Sequence, residues 1–64
     1  MSAADDVSLL TRQQVEERCA IGRSQIYKRM ELGEFPRPVY VGAAARWRSD
    51  EVAEWIDSLP RRGN

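Results

Sequence analysis

Residues 19–47 read CAIGRSQIYKRMELGEFPRPVYVGAAARW, and this stretch decides the fold of the chain. A short helix breaks at residues 20–22, where Gly22 favours a turn. A second helix then spans about residues 23–32, and a compact basic β-ribbon follows it. Helix, tight turn, helix and wing form an arrangement that is typical of proteins placing one helix in the DNA major groove.

The first helix is predicted over residues 12–19, immediately before the turn. Thr11 is a strong N-cap candidate, and Gln14 three residues later completes a capping box. Val15 and Cys19 lie one turn apart, which places both on the inner face. This helix therefore has a defined start and a buried side.

The second helix has its own start and stop signals. Gly22 is the expected N-cap, Gly33 is the expected residue just past the end, and Pro36 prevents continuation. Ile26 and Met30 are separated by four positions and define the buried stripe.

Residues 38–48 predict a β-hairpin, with strands over residues 38–41 and 46–48 and a turn over residues 42–45. Because side chains alternate along a strand, the economical arrangement directs three apolar side chains inward. We expect these to be Val39, Val41 and Trp47. The outward side would then carry Tyr40, Arg46 and Arg48.

A third helix follows the hairpin. Ser49 is expected to cap it and Pro60 to end it. A core face at helical spacing is predicted from Val52, Trp55, Ile56 and Leu59. We therefore expect a mainly α fold with a small β-hairpin wing, namely a winged helix-turn-helix of three helices plus a two-stranded wing. The expected organisation is a flexible N-terminal arm over residues 1–8, a winged helix-turn-helix DNA-binding domain over residues 9–59 and a polar tail over residues 60–64.

Size and composition exclude several classes of protein. The 64 residues make one small domain, with one cysteine and no histidine. A disulfide needs two cysteines, and a zinc site needs several Cys or His ligands, so no metal and no cofactor are expected. Cys19 is interpreted as a small apolar core residue. No residue set suits catalysis, so we do not expect an enzyme. Without a signal peptide or an apolar run long enough to span a bilayer, the protein is expected to be cytoplasmic and to bind no membrane.

The net charge is zero, but the charged residues are unevenly distributed along the chain. Residues 23–48 carry six Lys and Arg against two Glu, a balance of +4, whereas the rest carries four Arg against eight acids, a balance of −4. Because the field near a surface depends on local charge, the basic part is expected to face phosphates. The acidic part would face solvent or a partner.

The outward face of the second helix carries the candidate base-reading groups. At about 100° per residue, with Ile26 inward, the side chains that project outward or to the flanks can donate and accept hydrogen bonds. They are Arg23, Ser24, Gln25, Tyr27 and Lys28, and such side chains meet base edges and phosphates. The alternative is an ordinary solvated helix face, and Tyr27 is balanced between packing and a phosphate contact.

Three arginines near the hairpin are candidates for contacts to the DNA backbone: Arg37, Arg46 and Arg48. The alternative for Arg46 and Arg48 is an ion pair with an acid of the third helix, or stacking on Tyr40. Arg29 lies near the core edge, so a phosphate contact or a stem packed on the surface is expected there instead of base reading. Glu31 is a discordant charge on the outward face, and it either lies beyond the phosphate contacts or pairs with Lys28 or Arg29.

An ordered set of short runs spanning about residues 9–57 resembles the AlpA family of prophage transcriptional regulators, within the wider MerR-like winged-helix group that includes phage excisionases. The runs are Leu9-Leu10-Thr11, residues 21–28, residues 33–39, Arg46-Trp47-Arg48 and residues 52–56. The resemblance implies a small DNA-binding protein that acts as a transcription regulator or as a recombination directionality factor. By position, it places Arg23, Ser24, Gln25, Tyr27 and Lys28 on the recognition helix, and Arg46 and Arg48 on the wing.

The chain departs from the family pattern at two places. Relatives often have Ser where Gly22 stands, and a basic wing tip where this chain has Ala43-Ala44-Ala45. The second departure shifts the expected backbone contacts to Arg37, Arg46 and Arg48.

The expected partner is double-stranded DNA, bound by several cooperatively associated copies because one module this small buries limited surface. Integrase is the expected protein partner of an excisionase, and RNA polymerase that of a regulator. The competing hypothesis is a protein-interaction module, similar to an anti-repressor, that makes no DNA contact.

Overall fold

The computed structural model describes residues 7–63. Along the chain it contains β1 (Leu9–Leu10), α1 (Arg12–Cys19), α2 (Arg23–Glu31), β2 (Val39–Val41), β3 (Ala44–Arg48) and α3 (Ser49–Asp57). The strands form one antiparallel sheet in the order β1-β3-β2. The winged helix-turn-helix expected from the sequence is therefore confirmed. Within residues 7–63, no helix is long and apolar enough to cross a membrane.

The capping box at the start of α1 is present as predicted. The Gln14 backbone N–H donates to Thr11 Oγ1 at 3.2 Å, and the Thr11 N–H donates to Gln14 Oε1 at 2.9 Å. At the other end, Ala20 adopts the left-handed conformation with φ 57°. This conformation reverses the chain direction within the turn, and Gly22 then serves as the N-cap of α2 without a side-chain hydrogen bond.

Gly33 ends α2 in the way the sequence predicts. Its φ is +73°, a value that glycine adopts without strain. The Gly33 N–H donates to Met30 O at 3.1 Å and the Glu34 N–H donates to Arg29 O at 2.7 Å, which together form a Schellman motif. The helix itself ends at Glu31, one residue before the predicted end.

The sheet contains a strand that sequence reasoning missed. The predicted wing had two strands, but Leu9–Leu10 pairs with β3, placing Leu9 opposite Arg48 and Leu10 opposite Trp47. A two-residue strand is too short to show alternation, so only its pairing defines it. Ser8 extends the contact, because its N–H donates to Ser49 Oγ and its carbonyl accepts from the Ser49 N–H, both at 2.8 Å. Residues 1–6 and 64 lie outside the described residues, so the division into arm, domain and tail remains a prediction.

The predicted facing of the hairpin was wrong for the two valines and for Tyr40, which pairs with Ala45 and therefore shares the face of Trp47 instead of that of the arginines. The register places Val39 opposite Arg46 and Val41 opposite Ala44, so both valines share the face of Arg46 and not that of Trp47. Val39 is 38% exposed and Val41 is 57% exposed. The turn tightens to residues 42–43 and lets β3 start at Ala44 instead of Arg46, but this change leaves the faces as they were, because the predicted turn over residues 42–45 also pairs both valines with the arginines. The error came from grouping the apolar side chains on one face without following the pairing across the turn. The register, which the turn sets, decides the face.

The third helix also differs from its prediction in two respects. Ser49 does not cap α3; its hydroxyl accepts the hydrogen bond from Ser8, and Arg48 is the N-cap residue without a side-chain bond. Ile56 is 38% exposed and Leu59 is 46% exposed, so neither belongs to the core. Leu59 lies past the helix end at Asp57, and periodicity gives the direction of a side chain but not the depth of the layer it meets.

The core consists of six buried side chains, contributed by every helix and strand except β2 and by the segment between α2 and β2: Leu10, Val15, Ile26, Phe35, Trp47 and Val52. Cys19, Ile21, Met30 and Trp55 pack against them. Burial raises the pKa of the Cys19 thiol, so the thiol is the stable form at neutral pH, in agreement with a structural role. Phe35 was given no core role by the sequence, yet it is one of the six core residues.

Both indole rings bind the backbone of the segment that joins α2 to β2. Trp47 Nε1–H donates to Pro36 O at 3.0 Å, and Trp55 Nε1–H donates to Glu34 O. Between these two carbonyls, Phe35 packs edge-to-face on Trp55 with ring centroids 4.7 Å apart. Residues 34–36 are thereby fastened to β3 and to α3.

We expect Trp47→Phe to lower the free energy of unfolding by about 1–3 kcal/mol, because Pro36 O loses its donor and the smaller ring leaves space in the core. Chemical denaturation measures the change. Tyr40→Phe is the matched control, since Tyr40 is 67% exposed and its substitution should change stability by less than about 0.5 kcal/mol. Equal stability of the two variants would contradict the role given to the Trp47 indole.

Candidate nucleic-acid interface

The outer face of α2 carries all five predicted base-reading side chains. Ile26 is fully buried and Arg29 and Met30 are half-buried, whereas the other side chains of the helix are exposed. The five are Arg23, Ser24, Gln25, Tyr27 and Lys28, and we refer to them as the reading face. The structure thus brings these residues together on one exposed surface; their contact with DNA remains a prediction.

Arg23 and Tyr27 form a pair at the start of the reading face. The Arg23 guanidinium carbon lies 5.9 Å from the centroid of the Tyr27 ring, within the range of a cation–π contact. The two residues are four positions apart and therefore lie on the same side of the helix. The sequence left two roles open for Tyr27, packing or a phosphate contact. In the structure its ring packs against the Arg23 guanidinium, and the side chain is 42% exposed.

The remaining side chains of the reading face keep their polar groups free. In the part of the chain that the structure describes, Ser24, Gln25 and Lys28 have no side-chain hydrogen bond or ion pair. Glu31 forms no ion pair with Lys28 or Arg29. Arg29 pairs with Glu34 instead, with 3.9 Å between Nη1 and Oε1. The Lys28 ammonium is therefore available to an external acceptor.

Arg29 is half-buried, as expected for a residue at the core edge. Its Nε is buried and has no hydrogen-bond partner among residues 7–63. A guanidinium whose stem lies along the protein surface is poorly placed to read a base edge, in agreement with its exclusion from the candidate base-reading residues.

The wing, defined as the hairpin of residues 39–48, holds two of the three backbone-contact candidates in different environments. Arg46 is half-buried and its Nη1–H donates to Ala45 O at 2.7 Å. Arg48 donates from Nε to Asp50 Oδ1 and from Nη2 to Asp50 Oδ2, both at 3.0 Å. The ion pair that the sequence offered as an alternative for Arg48 is thus present in the free protein. Arg37, in the α2–β2 segment, is exposed and has no ion pair within residues 7–63.

The sequence offered an acid of the third helix as the alternative partner of Arg48 but did not single out Asp50. The signal was the spacing Arg48-Ser49-Asp50 across a strand-to-helix junction, where the chain turns sharply enough to bring positions i and i+2 together. The hydrogen bond from Arg48 is the main cause that lowers the pKa of the Asp50 carboxyl, against a smaller opposing effect of desolvation. The same pairing raises the pKa of Arg48.

Four of the eight acidic residues within residues 7–63 lie on α3. Asp50, Glu51, Glu54 and Asp57 belong to this helix, which carries no lysine or arginine. Two open clefts border it, one beside Pro36 and Arg37 and the other beside Arg18, and neither is lined by a residue of α2. Within residues 7–63, no three His, Cys, Asp or Glu side chains lie close enough to hold a metal ion.

Comparison with protein families identifies the chain. A family described as "Prophage CP4-57 regulatory protein (AlpA)" matches residues 8–61, most of the sequence. The chain belongs to the AlpA family of prophage regulatory proteins. The match spans β1 to α3 and extends to Arg61, so this AlpA protein shares the family pattern through the whole described fold. Searches of curated proteins and of solved structures gave no significant match.

The Arg48–Asp50 pair predicts a pH dependence. The folded-state pKa of Asp50 lies below its ordinary value, so the pair contributes to stability at neutral pH and is lost as the pH falls through that lowered pKa. We expect Arg48→Ala to move the Asp50 pKa back up towards its ordinary value, as measured by NMR titration of the carboxyl carbon. An unchanged midpoint in the variant would mean that the pair does not form in solution.

Proposed function

We propose that this AlpA protein is a sequence-specific binder of double-stranded DNA, with α2 in the major groove. The observation that carries the proposal is the reading face, whose polar groups are exposed on the outward side and the flanks of α2, while Ile26 is fully buried. Arg and Lys side chains donate hydrogen bonds to guanine, Gln pairs with adenine, and the hydroxyl groups of Ser and Tyr can bind base edges or phosphates. Arg23 lies at the N-terminal end of α2, the end from which recognition helices contact bases.

Contacts to the DNA backbone complete the proposed interface. Arg37, Arg46 and Arg48 lie on the segments that follow α2, and phosphate contacts from such residues fix the register of a protein on the duplex. The balance of +4 over residues 23–48 supports this orientation, because it concentrates positive charge on the elements that would face the phosphates. Beyond its first turn, the acidic α3 would face away from the duplex.

The biological action follows from the family. We propose that the protein works in the cytoplasm as a prophage regulator, either by controlling transcription or by directing excision, and that it has no enzymatic activity. Several copies along one site would supply the affinity that one small module lacks. Integrase would be the partner of an excisionase and RNA polymerase the partner of a transcription regulator, with α3 as the surface offered to either.

A protein-interaction module without DNA contact is the second candidate, and the net charge of zero favours it. The two candidates differ in their response to salt. Phosphate contacts release counterions, so affinity for duplex DNA falls steeply as salt is added if the first proposal holds. A binding partner that is a protein, with no salt-dependent affinity for duplex DNA, would favour the second.

We expect Arg23→Ala and Lys28→Ala each to weaken binding to the cognate duplex by about 1–3 kcal/mol while leaving the fold intact, because both side chains are exposed. Fluorescence anisotropy measures the affinity, and thermal unfolding checks the fold. Arg18→Ala is the matched control, since it removes one positive charge from α1, on the side of the acidic α3. Unchanged affinity in both α2 variants would remove α2 from the reading role.

The target sequence separates the two biological actions. Duplexes enriched by the protein from a random pool define a motif, whose positions can be mapped on the prophage and host genomes. A footprint of several copies over an attachment site would support excision, and a footprint over a promoter would support control of transcription. Enrichment of no motif would contradict sequence-specific binding.

A further inference from the structure

The ion pair at the β3–α3 junction leaves one edge of a guanidinium free. Asp50 engages Arg48 from the side, through Nε and Nη2, with both donor–acceptor distances at 3.0 Å. A guanidinium has five N–H donors, and this contact uses two of them. The side chain of Arg48 makes no other hydrogen bond within residues 7–63. The edge formed by Nη1 and Nη2 therefore still offers two parallel donors.

Asp50 is itself held in place. Its Oδ1 also accepts the backbone N–H of Glu51 at 2.8 Å, in the first turn of α3. The carboxylate therefore connects the start of a helix to the end of β3. Arginine has a flexible stem that loses rotamer freedom when it binds a ligand, and a fixed side-on partner removes much of that freedom beforehand.

We propose that Asp50 is a positioning residue that holds Arg48 side-on and directs the free edge of its guanidinium to a DNA phosphate. A phosphate presents two oxygens to a guanidinium edge in a bidentate contact, which suits the two free donors. The proposal rests on the DNA-binding function proposed above and adds an acidic residue to that interface.

Simple electrostatics predicts the opposite effect of Asp50. A carboxylate near a polyanion repels it, so removing the charge should strengthen DNA binding. If Asp50 positions Arg48, removing it should weaken binding instead, because Arg48 must then be ordered at the moment of contact. The sign of the change therefore decides between the two effects. The pair is exposed, and exposed pairs contribute little to folding, so the variants should remain folded.

The experiment compares Asp50→Ala with Glu54→Ala, which removes the same charge from the same helix. The Glu54 side chain has no ion pair within residues 7–63. Anisotropy titrations over a range of salt concentrations use a duplex enriched from the random pool and a scrambled duplex. We expect Asp50→Ala to weaken binding roughly 3- to 10-fold on both duplexes with little change in the salt slope, because Arg48 still reaches the phosphate but must be ordered first, whereas Arg48→Ala should reduce the slope by about one. Glu54→Ala should leave the affinity unchanged or increase it.

Two further variants separate positioning from damage to the fold. Arg48→Ala should reproduce the loss seen with Asp50→Ala, and the double variant should lose no more than Arg48→Ala alone. Asp50→Asn keeps one acceptor oxygen for Arg48, so it should bind more tightly than Asp50→Ala, a partial recovery that no charge effect produces. If Asp50→Ala unfolds, Asp50→Asn and Glu54→Gln make the same comparison, with weaker binding expected only for Asp50→Asn.

The outcomes distinguish this proposal from the proposed function. Binding by Asp50→Ala that equals or exceeds that of Glu54→Ala, while Lys28→Ala still binds weakly, overturns the positioning role and leaves the DNA-binding function intact. A loss confined to the enriched duplex overturns the assignment of phosphate as the ligand. Failure of the unaltered protein to bind duplex DNA overturns both.

Discussion

Two indole N–H groups fasten residues 34–36, and the arrangement of the fold depends on this constraint. Trp47 on β3 binds Pro36 O and Trp55 on α3 binds Glu34 O, while Phe35 is buried between them. The segment leaves α2 and enters the wing, so fixing it sets the position of the helix relative to the hairpin. With six buried apolar side chains in the described part of the chain, the core is small, and directional hydrogen bonds help to fix the position of each element.

This constraint connects the packing to the proposed function. Because Ile26 anchors α2 in the core and Gly33 ends it with a Schellman motif, the reading face projects to one side of a short rigid element. The wing follows after a stiff, fastened segment, so its arginines lie at a fixed offset from α2. Sites on rigid elements hold contact geometry better than sites on loose loops. A 64-residue chain can in this way present two groups of contacts to one duplex.

Local chemical signals accounted for most of the fold. The capping box of Thr11 and Gln14, the stop at Gly33 and the inward position of Ile26 each follow from a few neighbouring residues, and the structure contains all three. Errors arose where distant residues decide. β1 exists only through its pairing with β3, and the exposed face of Val39 follows from the hairpin register. The reading face could be listed from helical spacing, but the Arg48–Asp50 contact required the geometry of a junction.

The central claim is that α2 lies in the DNA groove. Chemical-shift mapping with isotope-labelled protein and an enriched duplex is the most direct test of it. The account predicts that the amide signals of residues 23–28 shift most, together with the side-chain signals of Arg46 and Arg48, while the acidic side of α3 changes little. Unshifted signals over residues 23–28, with the largest changes on α3, would contradict it.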